Sequence, residues 1–297
     1  MEASLKIPTS RSPLARTVII AVLAGSLFAM PALAASSGGV DKAAAALVPA
    51  KIKAKGTLTV AFDAEYAPNE FIASDGKTII GMDADLSAAI FAKLGLKTKP
   101  VNAVFATIIP GLTSGKFDVG ISSFTDNKLR EKQVNFVDYF KAGTSFFTKA
   151  SGAPKITNLA SLCGLSVSVE AGTTELDDAN AQAKKCSSSK KLTVLSYPTQ
   201  AAANLALSSG RAQVSMADSP VAAYQVKQSH GLFKLAGRAY GVAPYGIAVP
   251  KQDGALDKAI LAAVEDLVKD GQYKSILNKW GVASGADSSP ALNGAIS

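Results

Sequence analysis

Polar side chains of this chain gather at the carboxyl ends of runs that read as β-strands. Asp63 and Tyr66 follow Leu58–Phe62, and Ser122, Ser123 and Thr125 stand at the end of Asp118–Ser122. Glu170, Thr173 and Thr174 follow Leu165–Val169, and Asp218 follows Ala212–Met216. In open α/β sheets a ligand sits in the crevice beyond those strand ends. Hydroxyls and carboxylates collected there suit the capture of a small polar molecule. Bond-making chemistry is poorly supplied: the chain has one histidine, His230, in a polar turn, and two cysteines, Cys163 and Cys186. Zinc chemistry and Ser-His-Asp or Cys-His nucleophiles have little to work with. No metal, no cofactor and no catalytic residue are expected.

The elements that would position these residues alternate strand and helix. After Leu58–Phe62 come an amphipathic helix over Asp83–Leu94 closed by Gly95, an extended Lys97–Val101, a helical Thr107–Leu112 and the strand Asp118–Ser122. The pattern restarts with Leu165–Val169, a helix over Thr173–Lys185, Leu192–Ser196, a helix over Pro198–Ser208, Ala212–Met216 and a helix over Pro220–Lys227. A β segment at Tyr245–Val249 then leads into helices over Leu256–Lys269 and Gln272–Lys279. This order predicts an α/β protein of two lobes, each a mostly parallel sheet flanked by helices, with two strands crossing between them. Lobe 1 is expected over 51–143 and 246–283, and lobe 2 over 148–241.

The ends read differently. Arg11 and Arg16 precede the apolar Thr17–Met30, and Ala32-Leu33-Ala34 before Ala35 fits a signal-peptidase site. Residues 1–34 are thus expected to be a signal peptide, a retained anchor being the alternative. The mature protein would be periplasmic or secreted and soluble, cut near Ala34. Residues 35–50 read as a linker or frayed helix, and 284–297 as a disordered tail. In an exported protein the even pair Cys163 and Cys186 reads as a disulfide, with two separate buried thiols as the alternative. The net charge of +8 is spread over scattered lysines without interleaved aromatics, which argues against a nucleic-acid partner.

Several phrases in this order resemble the extracellular solute-binding proteins of family 3, the polar amino-acid binders of ABC importers: GTLTVAFDAEYAPNEF, GMDADLSAAIFAKLGL, ATIIPGLTSGKFDVGISSFTDNKLREKQVNFVDYF, VSVEAGTT, ALSSGRAQVSMADSPVAAY and YGIAVPKQDGALDKAILAAVEDLVKDGQYKSILNKWG. The resemblance spans Lys51 to Val282. It implies the type II periplasmic-binding-protein fold, a small amino acid held between the lobes by hinge closure, and a membrane permease as partner. A monomer is expected.

The resemblance also implies roles. Arg130 matches the arginine that grips the ligand α-carboxylate, a task for which a planar guanidinium fork is suited; a surface pair with Glu131 or another acid is the alternative. Ser123 and Thr125 match donors to the same group, while Ser122 could equally be strand-end packing. Gly172-Thr173-Thr174 resembles a second carboxylate-binding element at a helix start, where free N–H groups favour an anion, and it also fits an ordinary N-cap. Asp218 matches the acceptor of the α-ammonium group, or else an N-cap. Tyr66 and Phe105 match walls of the side-chain pocket. Asn69 departs from the family pattern and makes a fully apolar pocket doubtful. Asp63 and Glu170 would face the side chain, favouring a polar and cationic or hydrogen-bonding ligand. The rivals are a dehydratase of cyclic prephenate-like acids on the same fold, with Glu170 as its acid or base, and a solute sensor.

Overall fold

β-branched and aromatic residues dominate the run Thr57–Phe62, which forms β1, and its interior positions are buried. In the computed structural model, which describes residues 39–296, β1 is preceded by α1 (Lys42–Leu47) and α2 (Ala50–Lys55). Three short strands follow, β2 (Glu65–Tyr66), β3 (Glu70–Ile72) and β4 (Ile79–Ile80), which form a small antiparallel sheet of their own. Then come α3 (Met82–Lys93), β5 (Lys97–Asn102), α4 (Phe105–Thr113), β6 (Val119–Gly120) and the long β7 (Val134–Lys149). The second lobe carries β8 (Ser166–Glu170), α5 (Thr174–Ala183), β9 (Thr193–Tyr197), α6 (Gln200–Ser209), β10 (Val214–Asp218) and α7 (Ser219–Gln228). The long β11 (Phe233–Pro250) returns to α8 (Leu256–Lys269) and α9 (Gln272–Trp280).

The larger sheet has the order β5-β1-β6-β11-β7-β10-β8-β9. Each lobe is therefore three parallel strands bordered by one antiparallel strand: β5, β1 and β6 against β11, and β9, β8 and β10 against β7. β7 and β11 pair with each other from Val134↔Pro250 to Lys149↔Phe233 and run through both lobes. Their register shifts three times between Ala236 and Gly246, which concentrates bends where the chain crosses between lobes. Gly143 lies in this stretch, and a Cβ there would stand 2.5 Å from the Tyr240 carbonyl oxygen. One apolar core packs β1, α3, α8 and α9, and another packs β8, β10 and α5. A third joins α4 to Phe124, Phe136, Phe147, Leu207 and Val221, beneath the crevice.

Two sequence expectations are corrected. The linker over 35–50 is helical from Lys42, with Asp41 capping α1 through Ala43 and Ala44 and with Ala44 and Val48 buried in the first core. The tail over 284–297 is not disordered among its described residues. The lower half of β7 has β11 on one edge only, and the tail covers the other through antiparallel bridges Val137↔Leu292 and Phe140↔Ala286. Asn293 Oδ1 accepts from Phe136 N (2.8 Å), and Asp287 is buried, its N–H bonded to the Tyr273 hydroxyl. Small polar residues are ordered here because they satisfy an otherwise open strand edge. The signal peptide read over residues 1–34 lies outside the described residues, as do residues 35–38. Among the described residues no helix is long and apolar enough to cross a membrane. Cys163 and Cys186 form a disulfide with a Cα–Cα distance of 5.5 Å.

Candidate functional site

The first turns of four helices, α4 to α7, converge beyond the strand ends. A tight cavity there has a volume of about 20 Å³, room for little more than a water molecule with the lobes this close. Lobe 1 contributes Tyr66, Phe105, Ser123, Thr125 and Arg130 to its walls, and lobe 2 contributes Thr173, Thr174, Glu175, Gln200, Ala217, Asp218 and Val221.

Arg130 opens a short 3-10 turn after the loop that leaves β6, and it is buried. Its Nη1 donates to Thr125 O (2.8 Å) and its Nη2 to Gly172 O (3.0 Å), so the guanidinium already touches both lobes. The fork lies over the rings of Phe105 and Phe124, 5.3 and 5.7 Å from their centroids. Among the described residues no carboxylate forms an ion pair with it, and Glu131 pairs with Lys128 instead. Burial pulls the guanidinium below its ordinary pKa, against the opposing charges of Glu175 and Asp218. A buried cation held by two neutral carbonyls retains donors for an anion.

Facing it is the start of α5. Gly172 has φ of +81°, and a Cβ there would approach Ala106 of α4 to 3.0 Å, so the turn lies close against the other lobe. Thr173 is the N-cap: its hydroxyl accepts from Leu176 N (3.2 Å) and donates to Glu170 O (2.8 Å). The N–H groups of Thr174 and Glu175 belong to the first turn, which has no intrahelical acceptors. Glu175 is buried and accepts from the hydroxyls of Thr144 (2.6 Å) and Thr174 (3.3 Å). Asp218 occupies the N-cap position of α7 but makes no capping bond. Burial and the charge of Glu175 push its carboxyl well up, a cost that a ligand cation would relieve.

Three expected residues do not line the cavity. Ser122 Oγ accepts from Asp63 N (2.8 Å) and donates to Glu70 Oε1 (2.9 Å), which makes it internal structure. Asp63 Oδ2 accepts from Phe105 N (2.8 Å) and so anchors the start of α4. Glu170 Oε2 accepts from the Tyr66 hydroxyl (2.7 Å) across the lobes. Burial raises Asp63 to about 6 and, with the charge of Asp63 beside it, Glu170 to about 9. Asn69 is likewise outside the cavity walls: fully buried, it donates to Ser123 Oγ (2.9 Å) and supports the loop.

Glu175, Gln200, Ala217 and Val221 were not singled out by the sequence. Gln200 and Glu175 each sit one or two residues past a threonine N-cap that follows a strand, Thr199 for α6 and Thr173 for α5. That is the signal that could have found them. Val221 faces the cavity one turn into α7, where nothing in the sequence separates it from plain core.

The model of the bacterial extracellular solute-binding proteins, family 3, matches residues 58–283. The arginine-binding protein ArgT of Corynebacterium glutamicum is 35% identical over 243 residues, which cover 81% of this chain and 79% of the relative. An ancestral arginine-binding protein solved with arginine superposes with a TM-score of 0.71 at 37% identity, covering 76% of this chain and 98% of its own. An ancestral amino acid-binding protein, a precursor of cyclohexadienyl dehydratase, gives 0.70 at 32% identity, covering 77% of this chain and 97% of its own.

Proposed function

We propose that this chain, which belongs to the bacterial extracellular solute-binding proteins of family 3, is the extracytoplasmic binding component of an ABC importer and captures a polar amino acid between its lobes. The observation that carries the reading is Arg130: a buried guanidinium at the cavity wall, bonded only to carbonyls and facing the free N–H groups of α5. In this reading the ligand α-carboxylate completes the fork, and Asp218 on lobe 2 accepts the α-ammonium. A zwitterion then bridges both lobes, which couples binding to hinge closure.

The side chain meets the rings of Tyr66 and Phe105 and the acceptors of Glu175 and Gln200. Those groups favour a cationic or amide side chain, and the relatives named for arginine support the same choice. The protein acts as an exported, soluble monomer that delivers its ligand to a membrane permease. A binding role rather than catalysis is supported by the position of Glu170, the acid that the sequence put forward for a dehydration: it is bonded to Tyr66 and lies outside the cavity walls.

Isothermal titration tests the proposal. The chain from residue 35 onward is unfolded, refolded to remove bound ligand, and titrated with L-arginine, L-lysine, L-glutamine, L-histidine and L-glutamate. One-to-one binding strongest for a cationic or amide side chain is expected. Absence of binding to all five overturns the amino-acid reading.

A further inference from the structure

The small sheet of β2, β3 and β4 reaches from lobe 1 to three separate elements of lobe 2. Glu65 Oε2 accepts from Ala201 N in the first turn of α6 (2.9 Å). The Tyr66 hydroxyl bonds Glu170 at the end of β8 (2.7 Å). The Phe71 ring lies 6.2 Å from that of Tyr224 on α7, while its other neighbour, Trp280 of lobe 1, packs edge-on at 5.7 Å.

The base of the same sheet is bolted to the loop that carries Ser123 and Thr125. Asn69 donates to Ser123 Oγ (2.9 Å), and Glu70 accepts from Ser122 (2.9 Å) and Ser123 (3.3 Å). Met82 N and Asp83 N at the start of α3 donate to the carbonyls of Pro68 and Asn69 (3.1 and 2.8 Å). Gly81, with φ of +132°, permits that contact, since a Cβ there would fall 2.1 Å from Asn69 O. One rigid piece therefore joins the cavity loop of lobe 1 to three points on lobe 2.

We propose that this sheet is a clasp that sets the balance between closed and open lobes, with Glu65 and Phe71 as positioning residues that raise ligand affinity without touching ligand. Glu65 matters most. Its carboxylate completes the cap of α6, whose Thr199 hydroxyl satisfies only Ala202 N, and it places a negative charge at a helix N-terminus. That bond exists only when the lobes are together, so it stabilises the closed state selectively. Gln200, the first residue of α6, lines the cavity, so the clasp also fixes that wall.

The inference rests on the proposed amino-acid function for its binding arm and has a second arm that does not. Glu65→Ala and Phe71→Ala are each expected to weaken L-arginine binding about three- to tenfold, with the loss in the dissociation rate. The ratio of L-arginine to L-glutamine affinity should be unchanged, and Glu65→Gln, which keeps an acceptor oxygen, should recover part of the loss. Small-angle X-ray scattering of the ligand-free proteins should give a larger radius of gyration for both alanine variants than for the parent. A change in the affinity ratio, affinities within about twofold of the parent, or superimposable scattering curves overturn the clasp. If the parent binds none of the five amino acids the functional reading fails, and the scattering comparison alone decides whether the clasp stands.

Discussion

Arg130→Ala is the perturbation that discriminates most sharply. The guanidinium is buried, stacked on two phenylalanine rings and bonded to one carbonyl from each lobe. In the liganded state it would face a carboxylate removed from water. Deleting one partner of such a pair leaves the other charge buried and costs about 3–5 kcal/mol. That corresponds to a loss of affinity of roughly a hundredfold to several thousandfold. Without ligand the balance differs, because removing a buried cation that has no ion pair offsets the loss of two hydrogen bonds. The melting temperature of the ligand-free variant should therefore move little, while the upward shift that saturating L-arginine gives the parent disappears. Arg130→Lys keeps the charge but cannot bond both carbonyls and a carboxylate in one plane, so it should fall between the two. Isothermal titration and thermal melts with and without L-arginine read these effects. A Kd for Arg130→Ala within about threefold of the parent's would refute the assignment of Arg130 as the anion grip.

Three further outcomes follow from the cores, the tail and the disulfide. Asp126 and Asp138 are buried; burial and the charge of Glu131 raise Asp126 to about 6, and burial and the charge of Asp126 raise Asp138 to about 7. The native state thus holds protons the unfolded chain has released, and the stability they contribute is present below about pH 4 and lost as pH rises through 6 to 7. Asp138→Asn should stabilise the protein by on the order of 1 kcal/mol or more at pH 8 and leave it nearly unchanged at about pH 3.5; denaturant melts showing an equal effect at both pH values would contradict this. Cutting the chain after Val282 removes the tail that pairs with β7, so a lower melting temperature and concentration-dependent association through the bared edge are expected; a stable monomer by light scattering would argue against it. Cys163→Ser with Cys186→Ser opens a loop of 23 residues and should cost about 3 kcal/mol in denaturant unfolding, with amino-acid affinity little changed because the bond lies away from the cavity.

Repeated strand-helix order made the two parallel half-sheets legible, because helices such as α3 and α6 were followed by a glycine, Gly95 and Gly210, and strands such as β1 and β8 carried branched residues. β7 was not legible. Its sixteen residues mix Asp138 and Lys141 with aromatics and bury nearly every position, so neither a period of two nor a single-sided face marks it. β2 and β4 are two residues each and leave no pattern at all. The tail lacks any apolar period, and its order comes from backbone pairing with an open edge that exists only once β7 and β11 are in place.

The polar residues at the strand ends show where composition stops being informative. Ser122, Asp63 and Asp218 looked alike in the sequence, each a polar group just beyond a strand. In the folded chain Ser122 has a donor and an acceptor from its own lobe, and Asp63 has the Phe105 amide. Asp218 stands at a helix start with no capping bond. The first two are consumed in building the crevice, and the third is left to face it. Glu170 adds an intermediate case: one oxygen is held by Tyr66 and the other is buried without a partner, with a carboxyl raised to about 9 that retains its proton at neutral pH. A protonated carboxyl is not an anion for a ligand cation. Which strand-end residues address the ligand is thus decided by the partners that the fold supplies, from within the lobe for Ser122 and Asp63 and from across the lobes for Glu170.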